Sequence, residues 1–133
     1  MKNQWIKYHD HWQSGPMTFW VHIEADDKSW RESQAFVPPA PRPVPGQGYP
    51  YYFVEIDGFT FEFASLIEMR VLIETFSQKL LPSNLKLSIQ RGENYGPGNH
   101  WLNRLPKKTT SWTYRQKAIK YLEVALKEFE KVA

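Results

Sequence analysis

Residues 51–65 read Tyr51-Tyr-Phe-Val-Glu-Ile-Asp57-Gly58-Phe-Thr-Phe-Glu-Phe63-Ala-Ser65, two β-rich runs joined by an Asp-Gly pair. Asp-Gly favours the two-residue type I′ turn, whose central residues both need positive φ. Folding the chain at this turn pairs Ile56 with Phe59, Val54 with Phe61 and Tyr52 with Phe63, so every pair is apolar on both strands and the register supports itself. Phe53, Glu55, Thr60 and Glu62 fall on the other face. The expected hairpin has one buried and one mostly wet side.

Working forward, Ser65-Leu-Ile-Glu68 has the spacing of a capping box and predicts a helix running to about Leu81, with Met69, Leu72, Ile73, Phe76 and Leu80 inward and Pro82 as its stop. Leu85–Gln90 alternates as a short strand or strap, residues 91–99 form a glycine-bearing loop, and 100–105 suit one or two helical turns. Ser111 caps a second helix, Trp112 to about Val132. Its inward stripe is Arg115, Ile119, Leu122, Leu126 and Phe129, with Ala118 and Ala125 at the edge.

Working backward, Pro38–Pro50 holds six prolines and two glycines. Proline fixes φ and removes a donor, so this stretch reads as a crossover loop; its PxxP spacing also suits a docking arm. Met17–Glu24 alternates as a strand, with Trp5–Tyr8 as its expected hairpin partner. The fold class that follows is α+β. An antiparallel sheet of three to five strands, built from an N-terminal hairpin and the central Asp-Gly hairpin, carries two main helices on one face. Residues 1–133 form one domain with the 38–50 loop inside it.

Composition narrows the function classes. The chain has 133 residues, 41% hydrophobic and 23% charged, with no cysteine. That excludes a disulfide scaffold, thiolate metal sites and cysteine nucleophiles. No apolar run reaches the ~18–20 residues of a membrane span, and the first residues lack a signal-peptide core, so the expected setting is cytoplasmic.

Charge is the informative quantity. Residues 94–122 contain six of the 17 basic residues and none of the 14 acidic ones. They are Arg104, Lys107, Lys108, Arg115, Lys117 and Lys120, and Lys107, Lys108, Arg115 and Lys117 surround the start of the last helix, where aligned peptide dipoles already favour negative charge. A phosphate held by the amides near residues 109–113 would offset them. Aromatic rings beside a basic track suit stacking on unpaired bases. The expected nucleic-acid contacts are Arg104, Lys107, Lys108, Trp112, Tyr114, Lys117 and Lys120. The bland alternative is a solvated face with ordinary i,i+4 pairs to Glu123 and Glu128. No RNA-recognition-motif, KH, helix-turn-helix or zinc-finger signature accompanies the charge. The expected function is a non-enzymatic accessory protein binding DNA or RNA; the alternative is a protein-interaction module or inhibitor, of mobile-element or phage type, docking on a larger nucleoprotein complex through its basic face, with Phe53, Glu55 and Glu62 as a second contact.

Catalytic signals are few. His9 and His11 would point the same way from a strand and reach one metal, with His22 or His100 as a third ligand; the alternative is two exposed polar residues. Glu55, Asp57 and Glu62 lack the following lysine of a nuclease pattern. Residues 96–99, Gly-Pro-Gly-Asn, lack the Lys-Ser/Thr of a P-loop. No cofactor motif occurs, and none is expected.

Overall fold

The computed structural model describes residues 2–81 and 101–132. Strand β1 (Lys2–His9) is followed by a short helix α1 (Thr18–Val21), β2 (Ile23–Glu24) and β3 (Phe36–Val37). Strands β4 (Tyr49–Ile56) and β5 (Phe59–Phe63) lead into α2 (Leu66–Phe76), and α3 (Trp112–Val132) closes the order. Two 3-10 turns, Trp101–Arg104 and Lys107–Thr110, precede α3. The sequence expectations for 82–100, including the Pro82 stop, the Leu85–Gln90 strand, the glycine loop and His100, lie outside the described residues. Among the described residues the architecture is α+β, with antiparallel sheets of three and two strands and three α-helices, two of them main. Among the described residues no helix is long and apolar enough to cross a membrane.

The Asp57-Gly58 hairpin forms in the expected register, Ile56 opposite Phe59, Val54 opposite Phe61 and Tyr52 opposite Phe63. Both turn residues have positive φ, 49° at Asp57 and 89° at Gly58, as a type I′ turn requires. On the inner face Tyr52, Val54, Ile56, Phe61 and Phe63 pack against Met69, Leu72 and Phe76 of α2 and against Ala118, Leu122, Ala125 and Phe129 of α3. Burying each large side chain is worth about 1.5–3 kcal/mol. Ser65 caps α2, its Oγ accepting from the Glu68 amide at 3.2 Å, and Ser111 caps α3, accepting from the Tyr114 amide at 3.2 Å.

The N-terminal hairpin does not form. β1 pairs instead with β4 along its whole length, Lys2 opposite Ile56 through His9 opposite Tyr49, so β4 is the centre of the sheet order β1-β4-β5. Met17–Glu24 is a helical turn followed by a two-residue strand because its buried polar residues, Thr18 and His22, are four apart. The i→i−4 bond from the His22 amide to the Thr18 carbonyl, 2.9 Å, stacks both toward α2.

Two helix expectations are also corrected. α2 ends at Phe76, and Leu80 is 86% exposed. Ser77 Oγ donates to the Ile73 carbonyl at 2.6 Å, and the carbonyls beyond turn toward Arg115. The stripe of α3 is rotated: Ala118 and Ala125 are fully buried, while Ile119 and Leu126 sit at its edge.

The proline-rich loop enters the sheet at Gly48, which has φ 112° and passes so near β1 that an added Cβ would lie 2.4 Å from the His9 carbonyl oxygen. Pro50 nonetheless lies inside the central strand, opposite Tyr8. It is tolerated because β4 overruns β5 there, where the ladder to β5 stops at Tyr52 opposite Phe63.

Residues 12–38 form an arm laid over the start of α2. Trp12, Phe19, Trp30 and Phe36 gather their rings there, with centroids 5.4–6.3 Å apart in the contacting pairs. At its tip Asp26 accepts from Ser33 Oγ at 2.6 Å and from the Gln34 amide at 2.9 Å. These bonds, the Ser33 hydroxyl foremost and the Gln34 amide next, hold the Asp26 carboxyl down at about 2. A depressed acid stabilises the loop above its ordinary pKa and loses that effect as pH falls through the folded value. The Ser33 and Gln34 amide resonances are therefore expected to titrate with a midpoint near 2, and nearer the ordinary 3.8 in Ser33→Ala.

Candidate functional site

Two polar assemblies stand out, one inside and one on the surface. The inner one joins the arm to α2. The Glu68 carboxylate is fully buried and accepts from Thr18 Oγ1 at 3.0 Å, the Ala64 amide at 3.2 Å and Ser65 Oγ at 3.0 Å. His22, also fully buried, has Nδ1 2.8 Å from the Pro38 carbonyl and Nε2 2.8 Å from Ser65 Oγ. A carbonyl only accepts, so Nδ1 carries a hydrogen. A histidine on a serine hydroxyl has the form of a base and nucleophile. Here Ser65 is 2% exposed and already serves as helix cap and Glu68 donor, so the assembly pins the arm. Its sequence signal was the four-residue spacing of Thr18 and His22, hidden under an apparent alternation.

The surface assembly is built where the tip of the β4–β5 hairpin meets the first turns of α3. Tyr114 Oη donates to the Ile56 carbonyl at 2.9 Å. Lys117 Nζ lies 3.0 Å from Asp57 Oδ2, and Lys108 Nζ donates to the Asp57 carbonyl at 3.4 Å. A single turn thereby gathers Lys108 and Lys117. Arg104 and Lys107 are exposed on the 3-10 turns, and Lys120 is exposed on α3. Lys117 and Lys120 form the common wall of two shallow hollows. One, of about 450 Å³, is completed by Trp112, Gln116 and Ile119; the other, of about 270 Å³, by Lys2, Tyr121 and Val124. Lys2 was not among the expected site residues, because its membership depends on the long-range pairing of β1 with β4.

Tyr114 and Arg115 do not reach this surface. Tyr114 is buried, with burial foremost and the Asp57 charge second pushing its hydroxyl up to about 12. Arg115 is 4% exposed and donates to the carbonyls of Thr110 at 2.9 Å, Phe76 at 3.2 Å, Lys79 at 3.1 Å and Gln78. Burial lowers its pKa, and its charge meets the negative end of the α2 dipole. Part of the positive excess at the start of α3 is thus answered from within, Arg115 by α2 and Lys117 by Asp57. Trp112 stays half-buried, with the Arg115 guanidinium 5.0 Å from its ring centre.

The remaining candidates are dispersed. β1 ends at His9, whose ring lies edge-on to Tyr51, and His11 falls beyond the strand. Among the described residues no group of three His, Asp or Glu side chains is placed to hold a metal. Glu62 accepts from Tyr51 Oη at 3.0 Å, and Asp57 faces Lys117. A narrow apolar crevice between Met17, Phe59, Phe61, Leu72, Trp101 and Leu105 lacks a convergent set of polar groups. No protein-family model, curated protein or solved structure matches the chain.

Proposed function

We propose that this chain is a non-enzymatic nucleic-acid-binding protein whose contact surface is the start of α3 together with the hairpin tip and Lys2. The observation that carries the reading is the ridge of Lys117 and Lys120 with hollows on both sides, one floored by Trp112 and Ile119, the other by Tyr121 and Val124 beside Lys2. Phosphates neutralise the lysines, and the adjoining rings give apolar and stacking area. Arg104, Lys107 and Lys108 extend the positive field along the preceding turns. Tyr114 is outside this proposal.

The test is anisotropy of labelled DNA and RNA oligonucleotides at rising salt. Each phosphate contact on duplex contributes a slope of about −0.9 in log affinity against log salt. Lys107→Glu, Lys108→Glu and Lys120→Glu together spare the Lys117–Asp57 pair and are expected to reduce affinity at least tenfold and flatten the slope. Asp57→Asn removes the internal carboxylate that competes for Lys117 and is expected to raise affinity. Unchanged binding in the triple variant, or no binding by the wild type at low salt, overturns the reading. One observation favours the alternative of a docking module: Val124 is 54% exposed beside Tyr121. Partners that stay bound after nuclease treatment would support it.

A further inference from the structure

The sheet has a second face, and its chemistry is uneven. Strand alternation places Asn3, Trp5, Lys7 and His9 of β1 on the side away from the helices, beside Tyr51, Phe53 and Glu55 of β4 and Thr60 and Glu62 of β5. Trp5 and Phe53, directly opposite each other, lie parallel with centroids 5.2 Å apart and planes 4° from coincidence. Tyr51 leans on Phe53 at 5.1 Å, and the Lys7 ammonium sits 5.4 Å from the Phe53 ring centre. The stack ends at Trp5. It is half-buried, and among the described residues Phe53 is its one ring partner and its strand has no neighbour on the outer side.

Charge divides along the same line. The lysine of this face, Lys7, belongs to β1. The acids, Glu55 and Glu62, stand on β4 and β5, and Glu62 is fixed by Tyr51 Oη. A negatively charged backbone is favoured along β1 and repelled across the other two strands. At the start of β1, Lys2 enters the hollow it shares with Lys117 and Lys120, so the two faces are joined by one strand edge. The stretch of β1 from Lys2 to Lys7 spans roughly 17 Å.

The geometry points to single-stranded nucleic acid as the ligand, running along β1 from the Lys117–Lys120 ridge past Lys2, with an unpaired base stacked on Trp5 and a phosphate near Lys7. This rests on the nucleic-acid reading above and narrows it, because a base can add to the Trp5 stack only when it is not paired.

The test compares a short oligothymidylate, an abasic chain of equal length and a duplex, each by anisotropy with wild type, Trp5→Ala, Trp5→Phe and Lys7→Glu. The wild type is expected to prefer the single strand and to bind the abasic chain about tenfold more weakly, the worth of about one stacked base. Trp5→Ala should lose a similar factor on the single strand and none on the duplex. Trp5→Phe should keep most of the affinity, and Lys7→Glu should lose several-fold. If Trp5→Ala fails to fold, the abasic ligand and Lys7→Glu carry the test. Equal binding of thymidylate and abasic chains, or a preference for duplex, overturns this inference while the phosphate contacts of the α3 surface stand. No binding of any probe by the wild type overturns both.

Discussion

Glu68→Ala is expected to release the arm and to lower the stability of the whole chain by about 4 kcal/mol, within the range found when one partner of a buried charged cluster is removed. The carboxylate accepts from Thr18, Ala64 and Ser65, and its loss leaves the Thr18 hydroxyl and the Ala64 amide without an acceptor in a buried site, while Ser65 Oγ keeps only His22 Nε2 within reach. Each orphaned donor costs about 1–3 kcal/mol, less what relaxation recovers. Glu68→Gln keeps the shape and one acceptor oxygen and is expected to cost about half as much. Urea unfolding followed by tryptophan fluorescence measures both, because Trp12 and Trp30 lie on the arm this carboxylate holds. With a slope of about 2 kcal/mol per molar, the midpoint of Glu68→Ala should fall by about 2 M. A midpoint within a few tenths molar of wild type would show that the cluster is not what fastens the arm.

Arg115→Met should cost about 3 kcal/mol, since hydrogen bonds to a charged donor are individually worth about 1.5–3 kcal/mol and several are lost together. The guanidinium gathers carbonyls from the end of α2 and from Thr110, so one side chain closes a helix terminus and holds the approach to the next helix. Methionine fills similar volume and leaves those carbonyls to water or to nothing. Arg115→Lys is expected to recover little, because a single ammonium lacks the planar fork that reaches several acceptors at once. Thermal melts of the two variants should both fall well below wild type, and a melt of Arg115→Lys at the wild-type temperature would mean that charge alone suffices. This residue also explains why counting cations overstated the surface charge. Arg115 lies on the inward stripe of α3, where the periodicity places it, and its positive charge is consumed inside the molecule.

What the sequence made legible was local. The β4–β5 register followed from facing apolar pairs and one dipeptide, and the caps Ser65 and Ser111 followed from spacing to the first helical turn. What escaped was set by distant partners. β1 chose β4 across some forty residues, which no pattern within either strand announces. In Met17–Glu24 an apolar alternation concealed a four-residue polar period that only the Glu68 carboxylate makes meaningful. The site divides in the same way. Lys117 and Lys120 fall on the outer side of α3 by helical angle, whereas Lys2 joins them by pairing with a strand that comes much later in the chain, and Tyr114 leaves them through a hydrogen bond to a much earlier hairpin.

The arm has one more implication. Its aromatic rings cluster mostly with one another, its two-stranded ladder holds only two residue pairs, and its anchorage to the main core is concentrated near its start, in Met17, Trp20 and Val21 packed on that core, the Thr18 and His22 hydrogen bonds and the Trp12 indole. Such a junction melts as a unit, so amides at 23–25 and 35–37 should trade their protons for deuterium far sooner than those of β4.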